Sequence, residues 1–145
     1  MTKQEFKALE TVCKKNWRAL AKSGDNRKPD DLNRYYLFCP ACDVAYNVRL
    51  RQNLPHEQIC LFCPIVVWRD GARKQEKMHK DQFTMCEFGK FPYYRDWSKA
   101  DSTQARRFAA AKIAKMRWEW IPEYENIYRS RRNNHGQFRS SDREQ

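Results

Sequence analysis

Cys39-Pro-Ala-Cys42, followed after seventeen residues by Cys60-Leu-Phe-Cys63-Pro64, is the stretch whose reading decides the fold of this chain. Two Cys-x-x-Cys pairs at this separation have the spacing of a four-thiolate zinc site. The two residues between the sulfurs let the backbone turn in a tight knuckle, and both thiolates then reach one tetrahedral ion from the same side. Four thiolates suit iron as well as zinc. A redox pair would sit at a helix N-terminus in a βαβ setting, whereas each pair here leads into strand-like sequence. Cys86 brings the candidates near the site to five, one more than zinc takes, and is an alternative ligand.

The composition agrees with a small fold that needs such a staple. In 145 residues, Leu, Ile, Val and Phe together make up only about 17%, and the formal net charge is +11. Those values alone lean towards disorder. Five Trp and seven Tyr supply large rings to bury. A structural zinc adds roughly 10–16 kcal/mol of binding free energy that is also folding free energy. Met1-Thr-Lys-Gln-Glu5 carries no apolar signal segment, and the longest apolar run, Ile59 to Trp68, is too short to span a bilayer. The expected setting is therefore soluble and cytoplasmic, with no membrane partner and with cysteines serving as metal ligands rather than disulfides.

Working outward from the knuckles, residues 3–22 predict an amphipathic helix. Thr2 and Glu5 form a capping box, Ser23-Gly24 stops the helix, and Phe6, Leu9, Cys13, Trp17 and Leu20 make one apolar stripe. Cys13 within that stripe reads as a small buried hydrophobe. Val44, Tyr46, Val48 and Leu50 alternate with Ala45, Asn47, Arg49 and Arg51, the period of a half-buried strand, and Ile65 to Trp68 predicts a second short strand. Arg49 and Arg51 would share its wet face. Residues 69–82, with mixed charges, predict a solvated segment, and the aromatic-dense run 83–97 is expected to cover the metal. A second helix over 101–120, opened by Asp101 and Gln104, carries the stripe Ala105, Ala109, Ile113, Met116 and Trp120. Trp118 falls on the opposite side with Arg107, and Arg106 and Arg117 lie nearer the flank.

The expected fold class is thus α+β, mostly helical. It is a zinc-stapled single domain over residues 1–128, with a zinc-ribbon-like insert at 39–68 between an N-terminal and a C-terminal amphipathic helix. Residues 129–145, with Arg129, Arg131 and Arg132 and no periodicity, predict a disordered basic tail.

The order Cys39-x-x-Cys42, Cys60-x-x-Cys63-Pro64-Ile65, Cys86 and Pro92-Tyr93-x-x-x-Trp97, followed by an Ala-rich helix, resembles a family of small cysteine-rich proteins of bacteriophages and prophages. That family shares Cys-x-x-Cys, Cys-x-x-Cys-Pro-Val/Ile, Cys and Pro-Tyr-x-x-Trp, and it has no assigned activity. The resemblance covers about residues 6–120. It implies a phage origin, a host-cell cytoplasmic setting and a metal-bound core.

Composition and motifs together point to a non-enzymatic, zinc-binding basic protein that binds nucleic acid. Arg49, Arg51, Arg106, Arg107, Arg117, Arg131 and Arg132 are the expected phosphate contacts, with Trp118 or Tyr93 and Tyr94 as stacking rings. The alternative is a phage modulator that inhibits a host nuclease, polymerase or defence complex through its aromatic surface. A His-Asn-His nuclease is the minor alternative, with His56, His79 and Asn133-Asn134-His135 as its only candidates. His135 falls in the tail, where catalytic geometry is not held. The ligand assignment predicts that Cys42→Ser or Cys60→Ser releases zinc and unfolds residues 39–97, whereas Cys13→Ser retains the ion. Equal zinc content in all three variants by metal analysis would overturn it.

Overall fold

A computed structural model describes residues 1–27, 40–74 and 84–127. Of these residues 71% are helical and none lies in a strand. The expectation of a mostly helical fold holds; the zinc-ribbon insert does not.

Helix α1, Lys3–Ser23, begins and ends where its sequence dictates. Thr2 Oγ1 accepts from the Glu5 amide at 3.1 Å, and the Glu5 carboxylate accepts from the Thr2 amide at 2.9 Å. Phe6, Cys13, Trp17 and Leu20 are buried, with Leu9 half-buried beside them. Cys13 is a core residue, as its place in the stripe requires. Gly24 closes the helix in the left-handed region, φ 70°, its amide donating to the Leu20 carbonyl at 2.8 Å.

The first knuckle departs from expectation. Residues Pro40–Arg51 form helix α2, not a strand. The alternation of Val44, Tyr46, Val48 and Leu50 is real, but the same residues also satisfy a helical pattern. Ala41, Val44, Ala45 and Val48 stand at i, i+3, i+4 and i+7, and each is at most 1% exposed. Asp43 and Asn47 are buried as well, so the helix is enclosed on more than one side and its amphipathic signal is weak. A 3-10 turn, His56–Phe62, runs into the second knuckle.

Ile65 does not open a strand. It makes an isolated antiparallel bridge with Trp118, after which the chain enters helix α3, Val66–Arg73. The expected solvated segment therefore begins with a helix whose Arg69 is only 3% exposed. Two short helices follow, α4 at Met85–Phe88 and α5 at Tyr93–Ser98, within the run that the sequence leaves irregular.

Helix α6, Thr103–Ala114, is capped by Ser102, whose hydroxyl accepts from the Ala105 amide at 3.1 Å. It is shorter than the predicted 101–120. Beyond Ala114 the backbone is claimed by a different partner: Val66 donates to the Arg117 carbonyl and Glu119 donates to the Pro64 carbonyl, both at 2.9 Å. Periodicity continues past the point where these bonds end the helix. A last 3-10 turn, Pro122–Asn126, completes the described chain.

Within the core, aromatic groups gather at both ends of α1. Near its start, Phe6 stacks on Tyr124 at 5.4 Å between centroids and meets Trp118 and Trp120 edge-on. Near its end, Trp17 packs edge-on against Trp97 at 5.2 Å and Tyr94 at 6.1 Å. Trp97 then donates its indole N–H to the Asp25 carbonyl, and Arg106 Nε donates to the Gly24 carbonyl at 2.6 Å. The α1–α6 junction thus closes around Gly24. A Cβ at that position would stand 2.3 Å from Thr103 Cγ2 and 2.9 Å from the Thr103 carbonyl oxygen. Gly24→Ala should cost roughly 2–4 kcal/mol, about 1–2 from the left-handed backbone and the rest from overpacking. Urea denaturation measures it, and a loss below about 1 kcal/mol would contradict the close approach.

Candidate metal centre

The cysteines converge despite the loss of the ribbon. Cys42 of α2, Cys60 in the 3-10 turn, Cys63 just beyond it and Cys86 of α4 all line one enclosed cavity of about 20 Å³, together with Trp17 and Trp68. That volume holds one water-sized body. Its other walls, Ala41, Ala45, Ile59 and Ile113 among them, are apolar. Cys60, Cys63 and Cys86 are buried and Cys42 is partly so, and the four form no disulfide with one another. Cys39 lies outside the described residues.

An apolar cavity of this size is a poor host for water, which needs two to four polar partners. The donors on its wall are sulfurs, the ligand type that zinc and iron take. Without a cation, the electrostatics oppose a thiolate. Burial raises the Cys60 thiol to about 11, only partly offset by the Met85 amide, which donates to its sulfur at 3.5 Å; the charge of Glu87 raises it further. Left to itself, such a thiol stays protonated at neutral pH. A divalent cation inverts that balance, because a coordinating thiol gives up its proton outright. Trp17, which also lines the cavity, keeps its indole N–H buried with no hydrogen-bond acceptor among the described residues; an N–H of that kind is suited to a sulfur that carries charge. Among the described residues no three His, Cys, Asp or Glu side chains are gathered tightly enough to hold an ion by themselves.

What positions the second knuckle is a set of hydrogen bonds on consecutive carbonyls. The Cys60 carbonyl accepts from the Cys63 amide at 3.3 Å. The Leu61 carbonyl accepts from Arg73 Nε at 3.1 Å, and the Phe62 carbonyl from the Tyr124 hydroxyl at 2.7 Å. The Cys63 carbonyl accepts from Arg69 at 3.4 Å, and the Pro64 carbonyl from the Glu119 amide. Arg69 also binds the Glu119 carbonyl at 3.0 Å and its carboxylate at 3.1 Å. None of these three side chains stands out in the sequence. The available signal is the spacing of Ile65, Trp68 and Ala72, which predicts a helix and puts Arg69 on its inner side.

Of the expected nucleic-acid residues, Trp118, Arg106 and Arg49 are engaged within the protein. Trp118 is 7% exposed and packs on Phe6, so it stacks on no external base. Arg106 is spent on the Gly24 and Ala100 carbonyls and the Thr103 hydroxyl. Arg49 donates to the Leu54 carbonyl and lies over the Tyr46 ring. Arg51, Arg107 and Arg117 are exposed, with Arg117 paired to the Glu119 carboxylate at 3.2 Å. Arg131, Arg132, His79 and His135 lie outside the described residues, as does the predicted tail. His56 is exposed near the Tyr46 ring, in the setting of an ordinary surface histidine.

No protein-family model, no curated protein and no solved structure matches this chain. No helix among the described residues is long and apolar enough to cross a membrane.

Burial raises the Tyr124 phenol far above its ordinary value, with the neighbouring Cys63 adding to the rise and Arg69 opposing it. A raised folded value means that stability is complete below about pH 10 and is lost as the unfolded chain ionises first. Tyr124→Phe should cost about 1–3 kcal/mol at neutral pH, because the Phe62 carbonyl loses its donor. The wild-type advantage should then shrink by about 1.4 kcal/mol per pH unit above pH 10. Denaturation of both proteins at pH 8 and pH 11 checks this; a constant difference would show that the hydroxyl does not act through its proton.

Proposed function

We propose that this protein is a non-enzymatic nucleic-acid-binding protein whose fold is stapled by a structural zinc ion. The observation that carries the metal reading is the meeting of Cys42, Cys60, Cys63 and Cys86 at one small cavity from three separate helical segments. Cys39 stands next to α2 in sequence and completes the first Cys-x-x-Cys pair. The ion would take four of these five sulfurs. When bound, zinc supplies charge neutralisation and cross-linking; the chain supplies the thiolates, an apolar wall and the carbonyl-anchored backbone that aims Cys60 and Cys63. A site enclosed by its ligands has a structural role, since a catalytic zinc keeps an open position.

The nucleic-acid part of the reading is supported by charge. The formal +11 falls to roughly +9 when four thiolates hold one Zn²⁺, and this excess favours a polyanion. The phage-encoded origin implied by the cysteine and Pro-Tyr motifs belongs to the same proposal. The purified chain should carry one zinc per molecule and shift single-stranded DNA or RNA in gels. The affinity should fall steeply with salt, the logarithm of the binding constant declining by about 0.7 per neutralised phosphate for each logarithmic unit of salt. Absence of any shift at low salt from zinc-loaded protein would remove the nucleic-acid reading; absence of bound metal would remove the staple.

A further inference from the structure

A second concavity lies away from the cysteines, between α3, the Phe91–Tyr93 segment and the end of α6. It is an open groove of about 420 Å³, within the range of ligand sites. Its lining is unusual for an unoccupied surface. Val67 and Phe91 are large apolar residues left 36% and 40% exposed. Tyr93 stands beside Phe91 with ring centroids 6.0 Å apart. Lys112, Lys115 and Arg117 also line it, with one carboxylate, Asp70, and Arg117 is paired to Glu119 at 3.2 Å. One turn back along α6, Phe108 is 66% exposed, with the Lys112 ammonium 5.1 Å over its ring.

The groove is also firmly built. The Trp68 indole donates to the Phe91 carbonyl at 2.9 Å, and the Tyr93 amide donates to the same oxygen at 2.8 Å. Arg117 is fixed through its carbonyl, which accepts from the Val66 amide. Rings held on a rigid backbone cost little order on binding.

We propose that this groove binds single-stranded nucleic acid, with a base stacked on Phe91 and the adjoining phosphates set against Lys112 and Lys115. Charge complementarity chooses the occupant: with Arg117 already paired to the Glu119 carboxylate, Lys112 and Lys115 still outnumber the one lining carboxylate, Asp70, and favour an anion, and the exposed Phe91 ring favours a ligand that brings a π-face with its charge. A duplex hides its base faces and fits less well. This assignment rests on the nucleic-acid reading above and gives it a location.

The test is fluorescence anisotropy with zinc-loaded full-length protein and labelled oligothymidylate and oligouridylate of about 12 nucleotides. Phe91→Ala should weaken binding at least about tenfold, and Phe91→Trp should retain it. Lys112→Gln with Lys115→Gln should weaken it similarly and lower the salt slope by about 1.4. The same loss of two charges on α1, Lys3→Gln with Lys15→Gln, should leave affinity within about twofold. Zinc content and circular dichroism confirm that each variant is folded. If wild type binds but the groove and α1 pairs weaken it equally, the groove is wrong while the nucleic-acid reading survives. If wild type binds neither oligonucleotide, both fail. Binding of a Glu- and Tyr-rich peptide that displaces the oligonucleotide at lower concentration would overturn the proposal in favour of an acidic protein partner.

Discussion

Five consecutive carbonyls, from Cys60 to Pro64, each accept a hydrogen bond, and four of the five donors come from elsewhere in the chain. Backbone oxygens taken out of water must find donors, and where the 3-10 turn ends at Phe62 the knuckle supplies only one of its own, the Cys63 amide. The chain meets that demand with one amide inside the knuckle, two arginines of α3, the Tyr124 hydroxyl and the Glu119 amide. Much of the remaining architecture follows. Helix α3 is placed where Arg69 and Arg73 reach the knuckle. Helix α6 stops at Ala114 so that residues 117–119 can run beside residues 64–66. Tyr124 is drawn under Phe62, and its ring then forms the floor on which Phe6 of α1 stacks.

This constraint also explains why basic residues are poor guides to a binding surface in this protein. Arg69, Arg73, Arg49 and Arg106 donate to backbone carbonyls of neighbouring segments. Their guanidinium groups tie segments together where no strand pairing exists among the described residues. Lysines such as Lys112 and Lys115 remain outward-facing instead. That division suits the two side chains, since the planar guanidinium fork reaches several acceptors at once, while an ammonium is a hydrated point charge.

The parts of the fold that were legible in the sequence are those where one local rule operates alone. Helix α1 is written in its capping box, its single stripe and its glycine stop, and Cys13 follows from its place in that stripe. The Cys-x-x-Cys spacing identifies three of the residues that line the cavity, and the surplus Cys86 is there beside them. Helix α2 was misread because Val44 and Val48 satisfy both a period of two and a helical repeat. A helix that also buries Asp43 and Asn47 shows no polar face to break the tie. Trp118 was misplaced because helical geometry was extended past Ala114. What ends that helix is a pair of hydrogen bonds to residues some fifty positions away, and no local pattern encodes them. The paired arginines of α3 escape notice for the same reason: their acceptors are carbonyl groups, which every residue has.

The donors of the Cys60–Pro64 segment also set an order of events during synthesis. Tyr124 lies 62 residues beyond the carbonyl it binds, and Glu119 lies 50 beyond Arg69. When Cys63 leaves the ribosome, both Cys-x-x-Cys pairs are already made, but the groups that bend the second one are not. The thiols thus spend the translation of some sixty residues without their scaffold, exposed to oxidation. Closure waits for the C-terminal third of the chain, so a truncated product would carry the cysteines without the architecture that aims them.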